Sequence, residues 1–367
     1  MSNSPVSADA AARSVLVTGG CGFLGSHVVD AFLAEGRFRV VAVSRNPNRN
    51  RHPEAEYISC DVTKHDEIAA VIQRVKPTVI VHTVTPGPFA PARSHHEDYA
   101  ATKNLVAVAA KAASVRAFIY SGSAEAVSNF SGARSEPLPE TKAILHTPDS
   151  TASAYGRAKS ASETLVLEAN GQDLLTVVLR LPGMFGPRDV NISHNLLKAT
   201  GTFATRIQLG NNKVVHDWLY VENAAHAHVL AAKALLDPEQ AARQRVDGEA
   251  FFLSDGVPMK FWDFARKLWA AAGDERCIRG DRVFVIPWSV VLAMAILSEA
   301  ICYVFTWGRK TPGLTRLHVH YMKEGAWFDI EKARQRLGYV PLVETDEGIR
   351  RTAAWFQERS RGARKTT

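Results

Sequence analysis

Short apolar runs rich in β-branched residues alternate with longer segments of helical spacing through the first half of this chain. The run at 15–17 is followed by a glycine-rich turn and then by residues 26–35, whose apolar positions recur at helical spacing before Gly36. Strands that alternate with helices in this way predict an α/β fold built on a parallel sheet. Further apolar runs lie at 39–43, 57–60, 78–82 and 117–120.

The turn after the first run has the sequence Thr-Gly-Gly-Cys-Gly-Phe-Leu-Gly at residues 18–25. Glycines at this spacing let the backbone turn tightly, approach a pyrophosphate and pack a helix against a strand, while the helix N-terminus faces the phosphates. A flexible turn is the alternative, which the flanking strand and helix disfavour. The pattern therefore predicts a Rossmann-type doubly wound parallel sheet, with cofactor contacts from Gly19, Gly22, Phe23, Leu24 and Gly25.

The second predicted strand ends where a Rossmann protein that selects NAD has an acidic residue, which binds the ribose 2′-hydroxyl. This chain has Ser44 at that position, followed by Arg45. Loss of the carboxylate removes repulsion toward a 2′-phosphate, and a guanidinium can bind a phosphate bidentately. We therefore expect NADP in preference to NAD. Asp61 and Val62 after the third strand, and Thr83 after the fourth, are further predicted cofactor contacts.

Tyr155 and Lys159 lie four residues apart in the segment Ala-Tyr-Gly-Arg-Ala-Lys. Residues i and i+4 share one face of a helix, so the Lys159 ammonium can lie near the Tyr155 phenol and favour its ionised form. Such a tyrosine can act as an acid or a base near neutral pH. A solvated pair on an exposed helix is the alternative, but the glycine turn upstream favours a catalytic pair. Together the two motifs predict a nicotinamide-dependent oxidoreductase.

With these motifs the chain resembles the extended short-chain dehydrogenase/reductase superfamily. The resemblance implies that a serine after the fifth strand hydrogen-bonds the reacting oxygen beside the tyrosine. By order and spacing this serine is Ser123, with Ser121 as the alternative. The segment 180–187 is similar to the strand and loop that lie along the nicotinamide in that superfamily, which implies a cofactor contact from Pro182.

Later segments are similar to the 3β-hydroxysteroid dehydrogenase branch, and within it to the decarboxylating sterol-4α-carboxylate 3-dehydrogenases. The resemblance covers nearly everything from residue 14 to residue 356. It implies an NAD(P)-dependent oxidoreductase that acts on the 3-hydroxy/3-keto group of an apolar, polycyclic sterol or triterpenoid-like substrate, with decarboxylation at C-4 left open. The later segments are 261–264, 328–330, 337–339 and 347–352.

Two departures from the family pattern keep other hypotheses in play. Ser44 and Arg45 replace the acid expected of an NAD-using dehydrogenase, which favours an NADPH-dependent ketoreductase or dehydrogenase of a specialised terpenoid pathway as the second hypothesis. Gly122 also stands where hydroxyl residues commonly cluster. A non-catalytic dinucleotide sensor is a minor alternative, because such a sensor would be expected to lose the Tyr–Lys pair.

The composition is that of a folded enzyme of ordinary type. With 367 residues, of which 46% are hydrophobic, the chain can bury one large core or two moderate ones. Four cysteines without paired spacing argue for reduced thiols in a cytosol-facing compartment. Histidine pairs occur without a third ligand set, so no metal is expected. The net charge of +7 comes without a basic stripe interleaved with aromatic residues, so no nucleic acid is expected either.

The chain is divided into a disordered lead at 1–12, a dinucleotide-binding domain at 13–185 plus 212–235, and a smaller C-terminal substrate-binding region at 186–211 plus 236–367. From the small, polar start we expect no secretory signal. We expect the protein on the cytoplasmic face of the endoplasmic reticulum membrane or in the cytoplasm. A homodimer is an expectation of the superfamily.

The segment 283–307 is apolar, with Glu299 as its one charge. Pro287 and Glu299 are expected to limit the uninterrupted helix to about 11 residues, fewer than the roughly 20 that span a bilayer. Contact with a membrane surface is therefore favoured over a span, and a core or dimer helix is the other alternative. Trp288 and Trp307 suit a membrane interface, where nearby basic residues such as 309–310 could meet anionic lipid.

Overall fold

The computed structural model describes residues 13–237, 239, 244–277, 283–307 and 312–365. The lead predicted at 1–12 lies outside these residues. The described strands are β1 (Arg13–Thr18), β2 (Phe38–Ser44), β3 (Glu56–Ser59), β4 (Val79–His82), β5 (Ala117–Ser123), β6 (Leu175–Leu181), β7 (Gly183–Phe185), β8 (Ile207–Leu209), β9 (Val215–His216), β10 (Trp218–Tyr220), β11 (Glu249–Phe252), β12 (Met259–Lys260) and β13 (Phe284–Ile286).

The described α-helices are α1 (Phe23–Glu35), α2 (His65–Val75), α3 (Ala92–Lys111), α4 (Ala154–Glu168), α5 (Ile192–Lys198), α6 (Val221–Leu236), α7 (Phe261–Ala271), α8 (Trp288–Thr306), α9 (Arg316–Glu324), α10 (Glu331–Leu337) and α11 (Thr345–Lys365). Short 3₁₀ turns connect several of them, including Ala124–Ala126 directly after β5.

Seven parallel strands form the central sheet, in the order β11-β6-β5-β4-β1-β2-β3. Both faces of the sheet are covered by helices. In β1, Val15 and Val17 belong to the core under α1 and α6, whereas Leu16 belongs to the core under α2 and α3. Burial on both faces explains why these strands are continuous apolar runs in the sequence. The predicted α/β doubly wound sheet is confirmed.

The edge strand β11 was not predicted. It pairs with β6 in parallel register, with Phe251 opposite Leu179, although its residues fall in the stretch that the sequence assigned to the substrate-binding region. The helix α10 returns with it and contacts both α6 and β11. The chain therefore re-enters the sheet once more than the predicted boundaries allow, because a four-residue apolar strand after a long connection has little local signature.

The smaller C-terminal part packs at the carboxyl end of the sheet. Its core joins Trp218 of β10 to Phe264 of α7, whose rings stack at 3.8 Å, and to Ile349 of α11. The strand β7, directly after β6, pairs with β10 in parallel, with Gly183 opposite Trp218. These pairings hold the segment after β6 in place beside the ends of the central strands.

The apolar segment near residue 290 forms one continuous helix, α8, of 19 residues. Pro287 is the N-cap residue, and a proline there removes no hydrogen bond, because the first N–H groups of a helix have no partner within the helix. Glu299 lies inside the helix, and its carboxylate forms an ion pair with Arg316 at 2.7 Å. The expected break at Glu299 was therefore wrong. By its length and its mean hydropathy, which is 1.9 over 18 residues, α8 could cross a membrane. Core helices of soluble proteins meet the same two criteria, but they are mostly buried, whereas only 11% of these 18 residues are buried.

Candidate functional site

In the glycine turn at residues 18–25, which follows β1, the backbone at Gly25 packs closely against the backbone at Gly19. Gly19 has φ of 74°, and a Cβ at Gly25 would collide with the Gly19 carbonyl. Gly22 is the N-cap of α1, and no side chain caps this helix. The N–H groups of its first turn, at Phe23 and Leu24, can therefore bind phosphate oxygens in the positive end of the helix dipole. These residues fit the pyrophosphate of a dinucleotide.

The residues after β2 lie against this turn. The Ser44 Oγ accepts a hydrogen bond from the Cys21 N–H at 3.2 Å, and Asn50 donates to the Cys21 carbonyl at 3.1 Å. Arg45 is exposed. Burial raises the pKa of Asp61, but hydrogen bonds from Thr63 and the charge of Arg45 outweigh that effect and lower it. Arg45 and Asp61 thus lie near each other beside the glycine turn.

Three other predicted cofactor residues have partners within the protein. The Asp61 Oδ1 accepts hydrogen bonds from the Thr63 N–H at 3.1 Å and from its hydroxyl at 2.8 Å. The Val62 side chain is buried in the core, which leaves its backbone for any contact with a cofactor. The Thr83 hydroxyl donates to the Thr18 carbonyl at 2.7 Å and so holds the glycine turn against β4. Direct cofactor contacts by these residues remain predictions.

Lys159 of α4 contacts three polar groups of neighbouring elements. Its ammonium donates to the Tyr120 hydroxyl at 3.0 Å and to the Ser121 carbonyl at 3.3 Å. It also lies 3.8 Å from the Asp98 carboxylate, and both side chains are almost fully buried. The distance from Nζ to the centre of the Tyr155 ring is 6.0 Å. The position of the charge is therefore set by β5 and α3.

Tyr155 lies in the first turn of α4, whose N-cap Ser153 accepts a hydrogen bond from the Gly156 N–H at 3.0 Å. Burial raises the pKa of Tyr155 to about 12, and the positive charge of Lys159 and a hydrogen bond with Ser123 act in the opposite direction. Ser123 is the last residue of β5. The structure thus brings Ser123, Tyr155 and Lys159 together at the carboxyl ends of the strands.

The alternative serine points elsewhere. The Ser121 hydroxyl lies 2.8 Å from Nε2 of His228, and Nδ1 of that histidine lies 2.7 Å from the Ala224 carbonyl. Because Nδ1 must donate to a carbonyl, Nε2 of the neutral ring accepts and Ser121 donates. Burial lowers the pKa of His228 to about 4, which keeps the ring neutral. Ser121 is therefore bound to α6 within the core, and Ser123 is the serine beside Tyr155.

Pro182 is half-buried and connects β6 to β7, and the residues after β7 are tied to α1. The Pro187 carbonyl lies 3.0 Å from Nε2 of His27 on α1, and Arg188 pairs with Asp30 on the same helix at 2.8 Å. The segment that follows β7 is thus fastened to the helix that begins at the glycine turn.

Sequence reasoning missed four residues around Tyr155. His95 and Asp98 come from α3, and the His95 ring centre lies 5.5 Å from that of Tyr155. Their i, i+3 spacing is a signal that could have been used. Glu125 follows Ser123 by two residues, and its charge raises the pKa of Tyr155. Tyr321 arrives on α9 from the far end of the chain, which no local pattern indicates.

Comparison with known proteins matches this architecture. Residues 16–279 match the 3-beta hydroxysteroid dehydrogenase/isomerase family. The decarboxylating sterol-4-alpha-carboxylate 3-dehydrogenase of Schizosaccharomyces pombe is 34% identical over 349 residues, which are 94% of this chain and 97% of that protein. The corresponding enzyme of Saccharomyces cerevisiae is 32% identical, with 94% of this chain and 98% of that protein covered.

Among solved structures, the UDP-glucose 4-epimerase of Thermus thermophilus in complex with NAD superimposes with a TM-score of 0.67 at 19% identity. That match covers 94% of this chain and 99% of the epimerase, and it shows the shared Rossmann fold. The family match spans most of the chain, and the relatives match it nearly end to end. The chain therefore belongs to the 3-beta hydroxysteroid dehydrogenase/isomerase family of NAD(P)-dependent oxidoreductases.

Proposed function

We propose that this protein oxidises the 3β-hydroxyl group of a 4α-carboxysterol and releases the carboxyl group as carbon dioxide. The main support is the convergence of Ser123, Tyr155 and Lys159 beside the glycine turn. The second support is the relatives themselves, which are named for this reaction and match 94% of the chain.

In this proposal Tyr155 takes the proton of the 3-hydroxyl group, and Ser123 donates a hydrogen bond to the same oxygen. Lys159 lowers the pKa of the phenol by its charge. Bound NAD(P)⁺ supplies the hydride acceptor. The resulting ketone lies β to the carboxylate, so carbon dioxide can leave while the ketone oxygen accepts the electron pair. The loss of carbon dioxide itself requires no metal, and the enolate that it leaves must then be protonated at C-4.

The proposed cofactor is NADP rather than NAD. Ser44 stands at the position that would hold an acid, and its hydroxyl is turned toward the Cys21 N–H. Arg45 is exposed next to it, where a ribose 2′-phosphate could be bound. The glycine turn, Asp61, Val62, Thr83, Lys159 and Pro182 would line the rest of the dinucleotide site.

The outward face of α8 is proposed to lie in a membrane surface. Only Val291 and Ala295 of this helix are buried, and both pack toward Val319 of α9. Phe305 is 81% exposed and Trp307 is 85% exposed. A patch of this kind on a soluble surface marks an interaction site, and interfacial aromatic residues favour lipid. The predicted basic residues 309–310 lie outside the described residues.

This surface is close to the substrate side of the site. The helix α9 packs on α8 and carries Tyr321. The Tyr321 hydroxyl packs against Gly183, since a Cβ atom added at Gly183 would lie only 2.6 Å from it. A sterol that enters from lipid would meet α9 before it reaches Tyr155. The proposal therefore places the enzyme on the cytoplasmic face of the endoplasmic reticulum membrane. A homodimer remains a prediction, which sedimentation equilibrium would test.

A second candidate function is NADPH-dependent reduction of a 3-ketone in a specialised terpenoid pathway. The pair Ser44–Arg45 favours it, because cellular NADPH usually drives reduction. The same Tyr155 would then donate a proton to the ketone oxygen.

The two candidates separate in one experiment. The purified protein is titrated with NADPH and NADH to compare their affinities. It is then supplied either with NADP⁺ or NAD⁺ and a 3β-hydroxy-4α-carboxysterol, or with NADPH or NADH and a 3-ketotriterpenoid. Reduced cofactor and carbon dioxide formed in equal amounts from the carboxysterol are expected. Reduction of the triterpenoid without turnover of the carboxysterol would overturn the proposed function in favour of the second candidate.

A further inference from the structure

Glu125 occupies the 3₁₀ turn Ala124–Ala126, two residues after Ser123. Its backbone N–H donates to the Ser123 hydroxyl at 3.1 Å. Its carbonyl oxygen packs against Gly156: a Cβ atom added at Gly156 would lie only 2.9 Å from this oxygen. The 3₁₀ turn is therefore in contact with the first turn of α4. The backbone of Glu125 is thus fixed against the same two elements that carry Ser123 and Tyr155.

The Glu125 carboxyl lies among aromatic groups rather than cations. Burial is the main reason why the pKa values of Tyr155 and Tyr321 are raised, and the charge of Glu125 adds to the rise at both phenols. Within the part of the chain that the structure describes, no side chain forms an ion pair or a hydrogen bond with this carboxyl group. Burial alone raises its pKa to about 7.

Glu125 is half-buried, and burial favours the neutral form of a carboxyl group that has no cationic partner. The other carboxylates near the site are paired: Asp98 with Lys159 at 3.8 Å, and Glu163 with Arg180 at 2.6 Å. The Glu125 carboxyl acts on Tyr321 as well as on Tyr155, and the Tyr321 hydroxyl lies beside Gly183 in the segment after β6. It is therefore poised to meet a group of the substrate.

We propose that Glu125 is a catalytic acid, which delivers a proton to the carbon atom that loses carbon dioxide. The proposal rests on the decarboxylation proposed above. Tyr155 and Ser123 hold the 3-oxygen, so the adjacent C-4 lies within a bond length or two of this anchor. Glu125 follows Ser123 by two residues, and its backbone contacts both Ser123 and the first turn of the helix that carries Tyr155.

The step balances without an added reagent. After oxidation at C-3, the bond between C-4 and the carboxylate carbon breaks, and its electron pair becomes the π bond of an enolate whose oxygen is held by Ser123 and Tyr155. That π pair then takes the proton of the neutral Glu125 carboxyl, which forms the new C–H bond at C-4 and restores the ketone. Glu125 is left as a carboxylate and regains its proton from water. A bound substrate carboxylate keeps Glu125 neutral beforehand, because like charges raise a pKa.

The test compares wild-type protein with Glu125→Gln and Glu125→Asp in single turnovers of a 3β-hydroxy-4α-carboxysterol in D₂O. Glutamine preserves the shape but cannot supply the proton. Three quantities are measured: reduced cofactor, carbon dioxide, and the face of C-4 that carries deuterium in the rapidly quenched product. Glu140→Gln is the matched control, because Glu140 is another half-buried carboxyl group in this region, and its task is to accept the Phe252 N–H at 2.8 Å.

Wild-type, Glu140→Gln and Glu125→Asp proteins are expected to place deuterium on one face of C-4. Glu125→Gln should form reduced cofactor at a rate within about twofold of wild type. Protonation of the enolate to the final, decarboxylated ketone should be slower by about 100-fold, as expected for loss of a general acid, and deuterium should appear on both faces of C-4. Single-face deuterium in Glu125→Gln, or an equal loss of cofactor reduction, would overturn the proposal. If wild-type protein reduces cofactor without releasing carbon dioxide, the proposed decarboxylation itself fails, which is a different result.

Discussion

The cofactor side and the substrate side of the site differ in how far their polar groups are hydrogen-bonded and their apolar side chains are buried. On the cofactor side, His82 bridges the Thr18 hydroxyl at 2.7 Å and the Thr102 hydroxyl at 3.1 Å, and Lys159 is held by Tyr120 and Asp98. On the substrate side, the Glu125 carboxyl has no such partner among the described residues, and most large side chains of α8 face outward.

This difference follows from what each side binds. A dinucleotide has the same phosphates and riboses in every turnover, so the protein can position the groups that bind it in advance. An apolar substrate is bound mainly by removal of apolar surface from water, which requires protein surface that is uncovered until binding. Substitutions on the two sides should therefore fail in different ways.

The largest effect is expected for Tyr155→Phe. Loss of the phenol removes the proton acceptor, and turnover should fall by about 1,000-fold, within the range for general acid–base groups. The dissociation constant for NADPH should change by less than about twofold, since the phosphates bind elsewhere. Stopped-flow turnover and fluorescence titration measure the two quantities. Tyr99→Phe on α3 is the control and should leave both unchanged; retained turnover in Tyr155→Phe would refute the assigned role.

On the substrate side, the double substitution Leu297→Glu and Phe305→Glu should weaken binding to phosphatidylcholine vesicles by about 100-fold, because each buried apolar side chain contributes about 1.5–3 kcal/mol. Both residues are exposed, so the free energy of unfolding should change by less than about 0.5 kcal/mol per site. Vesicle flotation and urea titration are the measurements. Ala295→Glu, on the buried face, should instead destabilise the fold. Unchanged flotation of the double variant would remove the membrane proposal.

Gly25→Ala tests the rigidity of the cofactor side. The added methyl group would collide with the Gly19 carbonyl, which is backbone and cannot move aside cheaply. We expect the dissociation constant for NADPH to rise about 30-fold, equivalent to about 2 kcal/mol of overpacking. Gly171→Ala, at a glycine with open space, is the matched control for calorimetric titration. Equal affinities for the two variants would contradict the close approach at this turn.

Arg45→Ala should separate the two cofactors. NADPH affinity is expected to fall about tenfold, the effect of one charge-assisted contact, while NADH affinity stays nearly constant. Titration with each dinucleotide measures this ratio. Arg51→Ala is the control, because the Arg51 guanidinium lies over the Tyr57 ring, 4.9 Å from its centre. A similar loss for both cofactors would remove the argument for NADP.

The smallest effect is expected for Asp98→Asn. Asp98 partly compensates the charge of Lys159, so its removal should strengthen the effect of Lys159 on Tyr155 and lower the pKa of the phenol. Oxidation needs the ionised phenol, so the acid limb of the pH–rate profile should move to lower pH, by about half a unit to one unit. The control titration of NADPH should be unchanged. A shift to higher pH would show that Asp98 acts mainly by positioning Lys159.

Prediction from sequence worked where chemistry and local geometry coincide. The glycine turn lies between a strand and a helix, and Tyr155 and Lys159 share one face of α4, because both patterns depend on residues only a few positions apart. It was weaker where distant segments meet. The strand β11 joins the sheet after a long excursion, and Asp98 reaches Lys159 from α3. The break expected at Glu299 was wrong because Arg316, from the next helix, neutralises that carboxylate.

The sequence by itself determined the doubly wound fold and the Tyr–Lys pair, since periodicity, glycine spacing and an i, i+4 relation are local properties of the chain. The family followed from the resemblance of several segments to known dehydrogenases. Only the tertiary structure decided between the two serines, because Ser121 is withdrawn by His228 of α6 while Ser123 faces Tyr155. Likewise, only the tertiary structure shows that the Glu125 carboxyl has no ion-pair partner among the described residues and that most large side chains of α8 are exposed. The environment of a side chain is made by residues far away in the sequence, so it is settled only when those segments come together.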